Sequence, residues 1–191
     1  MFSITSAAVA VSVVMTAAVA PAEAKRRSRE RVTVEDVLTT SDGHYVVILK
    51  TKTKPLRFLP IWVGETEAMQ IRMQLDRRKP PRPLTLNLLQ SVLSSSKITV
   101  MEATIDALQG SIFLGKLRLR QNGRAWEIDA RPSDAVGLAL GAGAAIFVSR
   151  QVLDDAAIDL TDLEPVYGKK PSEKLDATET PSELSSFEET L

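Results

Sequence analysis

Ile128-Asp129-Ala130-Arg131-Pro132-Ser133-Asp134-Ala135 is a strand end running into a helix start. Before it, Trp126-Glu127-Ile128 alternates apolar and polar, the pattern of a half-buried strand. Within it, Pro132 sets φ near the helical value, and Ser133 is a residue type that caps helix N-termini. After it, Ala135-Val136-Gly137-Leu138-Ala139-Leu140 continues as an apolar helix. The unpaired N–H groups of a helix start attract anions, and Arg131 stands beside them. Two uses fit these residues. One is a capped helix whose Arg131 pairs with Asp129 or Asp134. The other is a polar site built on a strand–helix junction.

Working outward, the helix beginning near Ser133 ends at Gly141 and Gly143, and Ala144 to Val148 is a short buried strand. Gln151 to Ala156 suits a helical turn. Upstream, Asn122-Gly123 is the strongest hairpin turn in the chain, joining Ser111–Gln121 to Arg124–Asp129. Ile98 to Asp106 supplies the strand before that hairpin. Two helices precede it, Glu65–Leu75 and Leu84–Ser95, separated by the stiff Lys79-Pro80-Pro81-Arg82-Pro83. Ala68, Ile71 and Leu75 mark the buried face of the first, and Leu88, Leu89, Val92 and Leu93 that of the second, with Thr85 as its cap. The first part holds three strands: Val32–Leu38, His44–Lys50 and Arg57–Val63. Pro60 confines the third to an edge or a bulge. Strands, helices, strands, helix, strand is the order of an α+β domain with a largely antiparallel sheet and about three helices.

Composition narrows the chemistry. The 191 residues contain no cysteine, which removes disulfides, zinc–thiolate sites and cysteine nucleophiles. The one histidine, His44, follows the turn Asp42-Gly43 and belongs to a hairpin end rather than a catalytic triad. Aromatics are 5% of the chain, so the core must be aliphatic. Lys+Arg and Asp+Glu are both 24, so no strongly basic domain demands a nucleic acid. Lys116, Arg118, Arg120 and Arg124 nevertheless share the last hairpin, as a solvated sheet face or as a phosphate-tracking surface.

The ends differ from the middle. Ala7 to Ala20 is an uncharged apolar run, and Ala22-Glu23-Ala24 fits a small-x-small cleavage site, so residues 1–24 read as a signal peptide. No basic residue precedes the run, and the basic stretch 25–31, read as a linker, follows it. Export to the periplasm or exterior is therefore expected, with an uncleaved membrane anchor or a misplaced start and a cytoplasmic protein as the alternatives. Residues 32–168 form the expected domain, and 169–191 an acidic tail expected to be disordered.

Three separated stretches resemble the bifunctional nuclease (BFN) domain family. They are Leu59-Pro60-Ile61-Trp62-Val63-Gly64 with Glu67-Ala68, then Arg82-Pro83-Leu84-Thr85, then Asp129 to Ala135. Ala145-Ile146-Phe147-Val148 matches the strand that follows in that family, and the likeness spans about residues 32–158. The resemblance implies an α+β domain, often a homo-oligomer, hydrolysing phosphodiester bonds in DNA and RNA. It implies catalytic roles for Glu67, Asp129, Arg131 and Asp134, with Arg82, Thr85 and Ser133 on the substrate. Mg²⁺ or Mn²⁺ would take its ligands from Glu67, Asp129 and Asp134. In one place the chain departs from the family. Where relatives usually carry Arg-Pro-x-Thr-His-Asp-Leu, it has Leu86 and Asn87. A catalytically impaired binding or scaffold domain of the same fold is the alternative this substitution raises.

Overall fold

The computed structural model describes residues 28–162. The expected signal peptide and the acidic tail lie outside the described residues. Three strands open the domain as an antiparallel meander: β1 (Arg29–Thr39), β2 (Tyr45–Thr51) and β3 (Phe58–Val63). Helices α1 (Glu65–Leu75) and α2 (Thr85–Ser95) follow. A second meander comprises β4 (Thr99–Gln109), β5 (Ile112–Gln121) and β6 (Arg124–Ala130). Helix α3 (Pro132–Ala142), strand β7 (Ala145–Ser149) and helix α4 (Arg150–Ala156) complete it. All seven strands join one sheet in the order β3-β2-β1-β7-β4-β5-β6. β7 runs antiparallel to β1 and parallel to β4, and so joins the two meanders.

The α+β class and the antiparallel character are as the sequence implies, and β3 is an edge strand with Pro60 opposite Ile48. The described residues hold four helices of seven residues or more rather than three, because Gln151–Ala156 extends to a full helix capped by Ser149 Oγ on Val152 N–H. The core is aliphatic: its largest fully buried side chains are Ile, Leu and Val, among them Leu49, Leu59, Ile71, Ile105 and Leu138. Ala135, Val136 and Leu138 of α3 press onto the sheet, which is why this helix is apolar on most sides.

Three expectations need correction. Residues 29–31 are not linker but the start of β1, pinned because Arg29 pairs with Glu102 at 2.8 Å and lies 4.2 Å over the Phe147 ring. Neither Thr85 nor Ser133 is an N-cap. Leu84 and Arg131 hold those positions, Thr85 is an exposed first-turn residue, and Ser133 is buried in the first turn of α3. The expected apolar face of α2 packs inward only in part: Leu93 lies half-buried against the core, whereas Leu88, Leu89 and Val92 are exposed, and Leu86 is the helix's one buried residue.

Gly115 in β5 sets the height of the β6–α3 junction. A Cβ there would stand 2.8 Å from the Ala130 carbonyl oxygen and 3.3 Å from Pro132 Cα. Only a residue without a side chain lets the strand–helix turn lie this close to the sheet.

Candidate active site at two helix starts

The β6–α3 turn delivers Arg131 as the N-cap residue of α3, in extended conformation. Its guanidinium meets Asp134, one turn on, through a two-pronged pair: Nε to Oδ2 at 2.7 Å and Nη2 to Oδ1 at 3.0 Å. Nη2 also lies 2.8 Å from Oε1 of Glu67. Glu67 comes from the first turn of α1, so two helix starts converge on one arginine. Each carboxylate also lies where a helix dipole favours negative charge. The Arg131 side chain is 65% exposed, and both contacts leave its Nη1 free of them. Hydrogen bonding to Asp134, then to Glu67, raises the guanidinium further above its ordinary range.

Gly64 completes the arrangement. A Cβ at this position would come within 2.5 Å of Glu67 Oε2, so the carboxylate folds over space that glycine leaves open. The sequence marks Gly64 only as the end of the family-like stretch Leu59–Gly64 and does not single out Gly115. Both were findable, since a glycine beside alternating residues marks a close approach.

The other predicted residues lie elsewhere. Asp129 is on exposed β6 opposite Lys116 and shares a sheet face with Glu127, away from the apolar Ile128 side. It makes no hydrogen bond or ion pair with Glu67, Arg131 or Asp134. Arg82 is exposed on the connector and has no ion pair among the described residues. Among those residues no group of three or more His, Asp or Glu is arranged to hold a metal ion. Asp134 spends both oxygens and Glu67 one on Arg131, so these carboxylates do not form a cation cage.

Leu86 and Asn87 take structural roles. Leu86 is 5% exposed and sits against α3, where a Cβ on Gly137 would come within 2.5 Å of its Cδ1. Its N–H donates to Gln70 Oε1 at 2.9 Å. Asn87 Oδ1 accepts from Leu84 N–H at 3.2 Å, which satisfies a donor at the start of α2. Of the four hairpin cations, Lys116, Arg118 and Arg120 share one sheet face, whereas Arg124, opposite Gln121, lies on the other, and two of them are matched. Lys116 bonds Asp106, and Arg118 lies 3.7 Å from Glu102.

The fold and site define a single α+β domain that holds an exposed arginine between carboxylates from two helix starts. The chain belongs to the bifunctional nuclease domain family, whose model matches residues 47–161 and so takes in both helix starts. It is similar to Uncharacterized protein Rv1829 of Mycobacterium tuberculosis, with 34% identity over 116 residues, covering 61% of this chain and 69% of that protein. It is also similar to Bifunctional nuclease 1 of Oryza sativa subsp. japonica and Bifunctional nuclease of Oryza minuta, 24% identical over 156 residues. These alignments take in 79% of this chain and 47% of the rice proteins.

Proposed function

We propose that this chain is a nuclease of low sequence specificity that hydrolyses phosphodiester bonds in DNA and RNA. The observation that carries this reading is Arg131, oriented by Asp134 and Glu67 yet open to solvent, inside the segment shared with the family. The names of the rice relatives support the same class. A guanidinium held flat by a two-pronged carboxylate pair has N–H groups left for a phosphate oxygen, where charge grows in the transition state. Glu67 Oε2, outside the Arg131 contact, is the acceptor that would orient the attacking water. Arg77, Arg78, Lys79 and Arg82 crowd the exposed connector between α1 and α2, with only Asp76 close by as a counter-charge, and suit the flanking phosphates.

A metal enters this reading only through the substrate, because Mg²⁺ often takes one or two carboxylates together with phosphate oxygens. The test is cleavage of labelled DNA and RNA by the full-length chain, with Mg²⁺, Mn²⁺ or EDTA. Arg131→Ala and Asp134→Ala should each lower the rate by about 10²–10³, the scale of losing one transition-state donor. Cleavage unchanged in both variants would refute the site.

The second reading, a binding or scaffold domain without turnover, is favoured by Leu86 and Asn87 serving packing and capping. It expects nucleic acid binding with no cleavage under any of these conditions.

A further inference from the structure

The connector between α1 and α2 carries Arg77, Arg78, Lys79 and Arg82, all exposed. Asp76 lies 3.7 Å from Arg78, and Arg77, Lys79 and Arg82 have no ion pair among the described residues. The same connector walls a groove of about 680 Å³, with Lys79, Pro80 and Pro83 on one side and Asn87, Ser91 and Ser95 of α2 on the other. Helix α2 has no charged residue from Thr85 to Ser95. Leu88 and Val92, three positions before Ser91 and Ser95 on the helix, stand at the groove's rim, 59% and 52% exposed. Unpaired cations therefore face exposed apolar side chains across one groove.

We infer that the chain's own acidic tail docks in this groove through residues 180–191. Outside the described residues, the tail's sequence carries both complements. Glu173, Asp176, Glu179, Glu183, Glu188 and Glu189 stand against Lys174 alone. Thr180-Pro181-Ser182-Glu183 has the order of a capping box with proline at the first helical position. Leu184, Phe187 and Leu191 then recur at three and four, the spacing of one helix face, with Glu183 and Glu188 on its two borders. A segment too polar to fold alone orders on a surface that matches it. Here Leu184 and Phe187 meet Leu88 and Val92, and the bordering carboxylates meet the connector cations. The chain from Asp162 to Phe187 spans about 80 Å when extended, roughly twice the breadth of a domain this size. The apolar match selects the connector over the basic stretch 25–31, whose described part is strand β1, with Arg29 already paired to Glu102. The docked carboxylates cover cations that the nuclease reading gives to flanking phosphates, so on that reading the tail competes with nucleic acid.

The chain has no cysteine, so an introduced disulfide reports where the tail sits. Full-length protein with Ser91→Cys and Ser186→Cys keeps Leu88, Val92, Leu184 and Phe187. In dilute solution with oxidised glutathione, this pair should close within one chain about 10-fold faster than Ser111→Cys with Ser186→Cys, the gain of a held over a wandering chain end. Ser111 is exposed beyond the far end of β4, about 30 Å from the end of α2. Lys79→Glu with Arg82→Glu, and separately Leu184→Ser with Phe187→Ser, should each remove most of the difference between the two pairs. No nucleic acid enters the reaction, so its outcome is independent of the cleavage assay. Equal rates for the two pairs, a difference that neither set of substitutions reduces, or a disulfide that joins two chains instead of closing one would overturn the docking.

Discussion

Replacing Leu86 by histidine, the residue that the family resemblance implies at this position, should remove much of this domain's margin of stability. Leu86 is 5% exposed, and burying a leucine contributes about 1.5–3 kcal/mol. An imidazole keeps part of that area but brings two polar nitrogens into a slot walled by Gly137 and Ile71. Gln70 Oε1, the acceptor at the Leu86 backbone, is already bound to the Leu86 N–H. An unsatisfied buried nitrogen adds about 1–3 kcal/mol. The sum, about 3–5 kcal/mol, is a large fraction of the 5–15 kcal/mol typical of a whole domain. Asn87→Asp should be nearly neutral, because it keeps an acceptor for the Leu84 N–H and places a charge at a helix start. Urea unfolding measures the difference: with a slope near 2 kcal/mol/M, the midpoint should fall by about 2 M. Leu86→Met, which conserves volume, should cost less than about 1.5 kcal/mol. A Leu86→His protein within about 1 kcal/mol of wild type would refute the packing argument, since the slot would then have room for a working imidazole. Cleavage gained by Leu86→His with Asn87→Asp, and absent from wild type, would favour the binding-domain reading of the natural chain.

Gly115→Ala should cost about 1–3 kcal/mol, because the added methyl meets backbone at Ala130 and Pro132 that cannot move aside alone; an unchanged thermal midpoint would contradict the close approach. Gly64→Ala should shift stability by no more than about 0.5 kcal/mol, since φ there is −71° and the clash is with a side-chain end. It should still lower any cleavage rate by displacing Glu67, and full activity would remove Glu67 from the mechanism. Lys116 has its pKa raised above 10.5, first by its bond to Asp106. That contribution is complete below the unfolded value and is lost as pH rises through the folded one. The stability difference between wild type and Lys116→Met should therefore shrink above about pH 10.5, as read from urea midpoints across pH.

Much of the fold was legible because local signals agreed. Period-two alternation in β5, the Asn122-Gly123 turn and the apolar spacing of α1 each named their element within a residue or two. The position of β7 between β1 and β4 was not legible, since a short apolar strand carries no mark of its neighbours. The periodicity of α2 was read correctly as a helix, but of its expected core face only Leu93 packs inward, because spacing shows that a face is apolar and not what covers it. At the site, the sequence left Arg131 to pair with Asp129 or Asp134, and the folded helix start selects Asp134, while Glu67 joined them through family likeness. Asp129 was drawn in by its nearness in sequence, whereas strand alternation turns it toward Lys116.

The last strand has a consequence for how the chain is made. Ala145–Ser149 supplies the backbone strand pairing that joins the first meander to the second. A ribosome therefore releases both halves before either can be stitched to the other, and the seam closes between residues more than a hundred positions apart, Arg29 against Ser149. Such distant closure is slow and leaves apolar edges open meanwhile. A chain truncated short of Ala145 should leave its two meanders without their shared strand and prone to clumping, not a smaller version of the same domain.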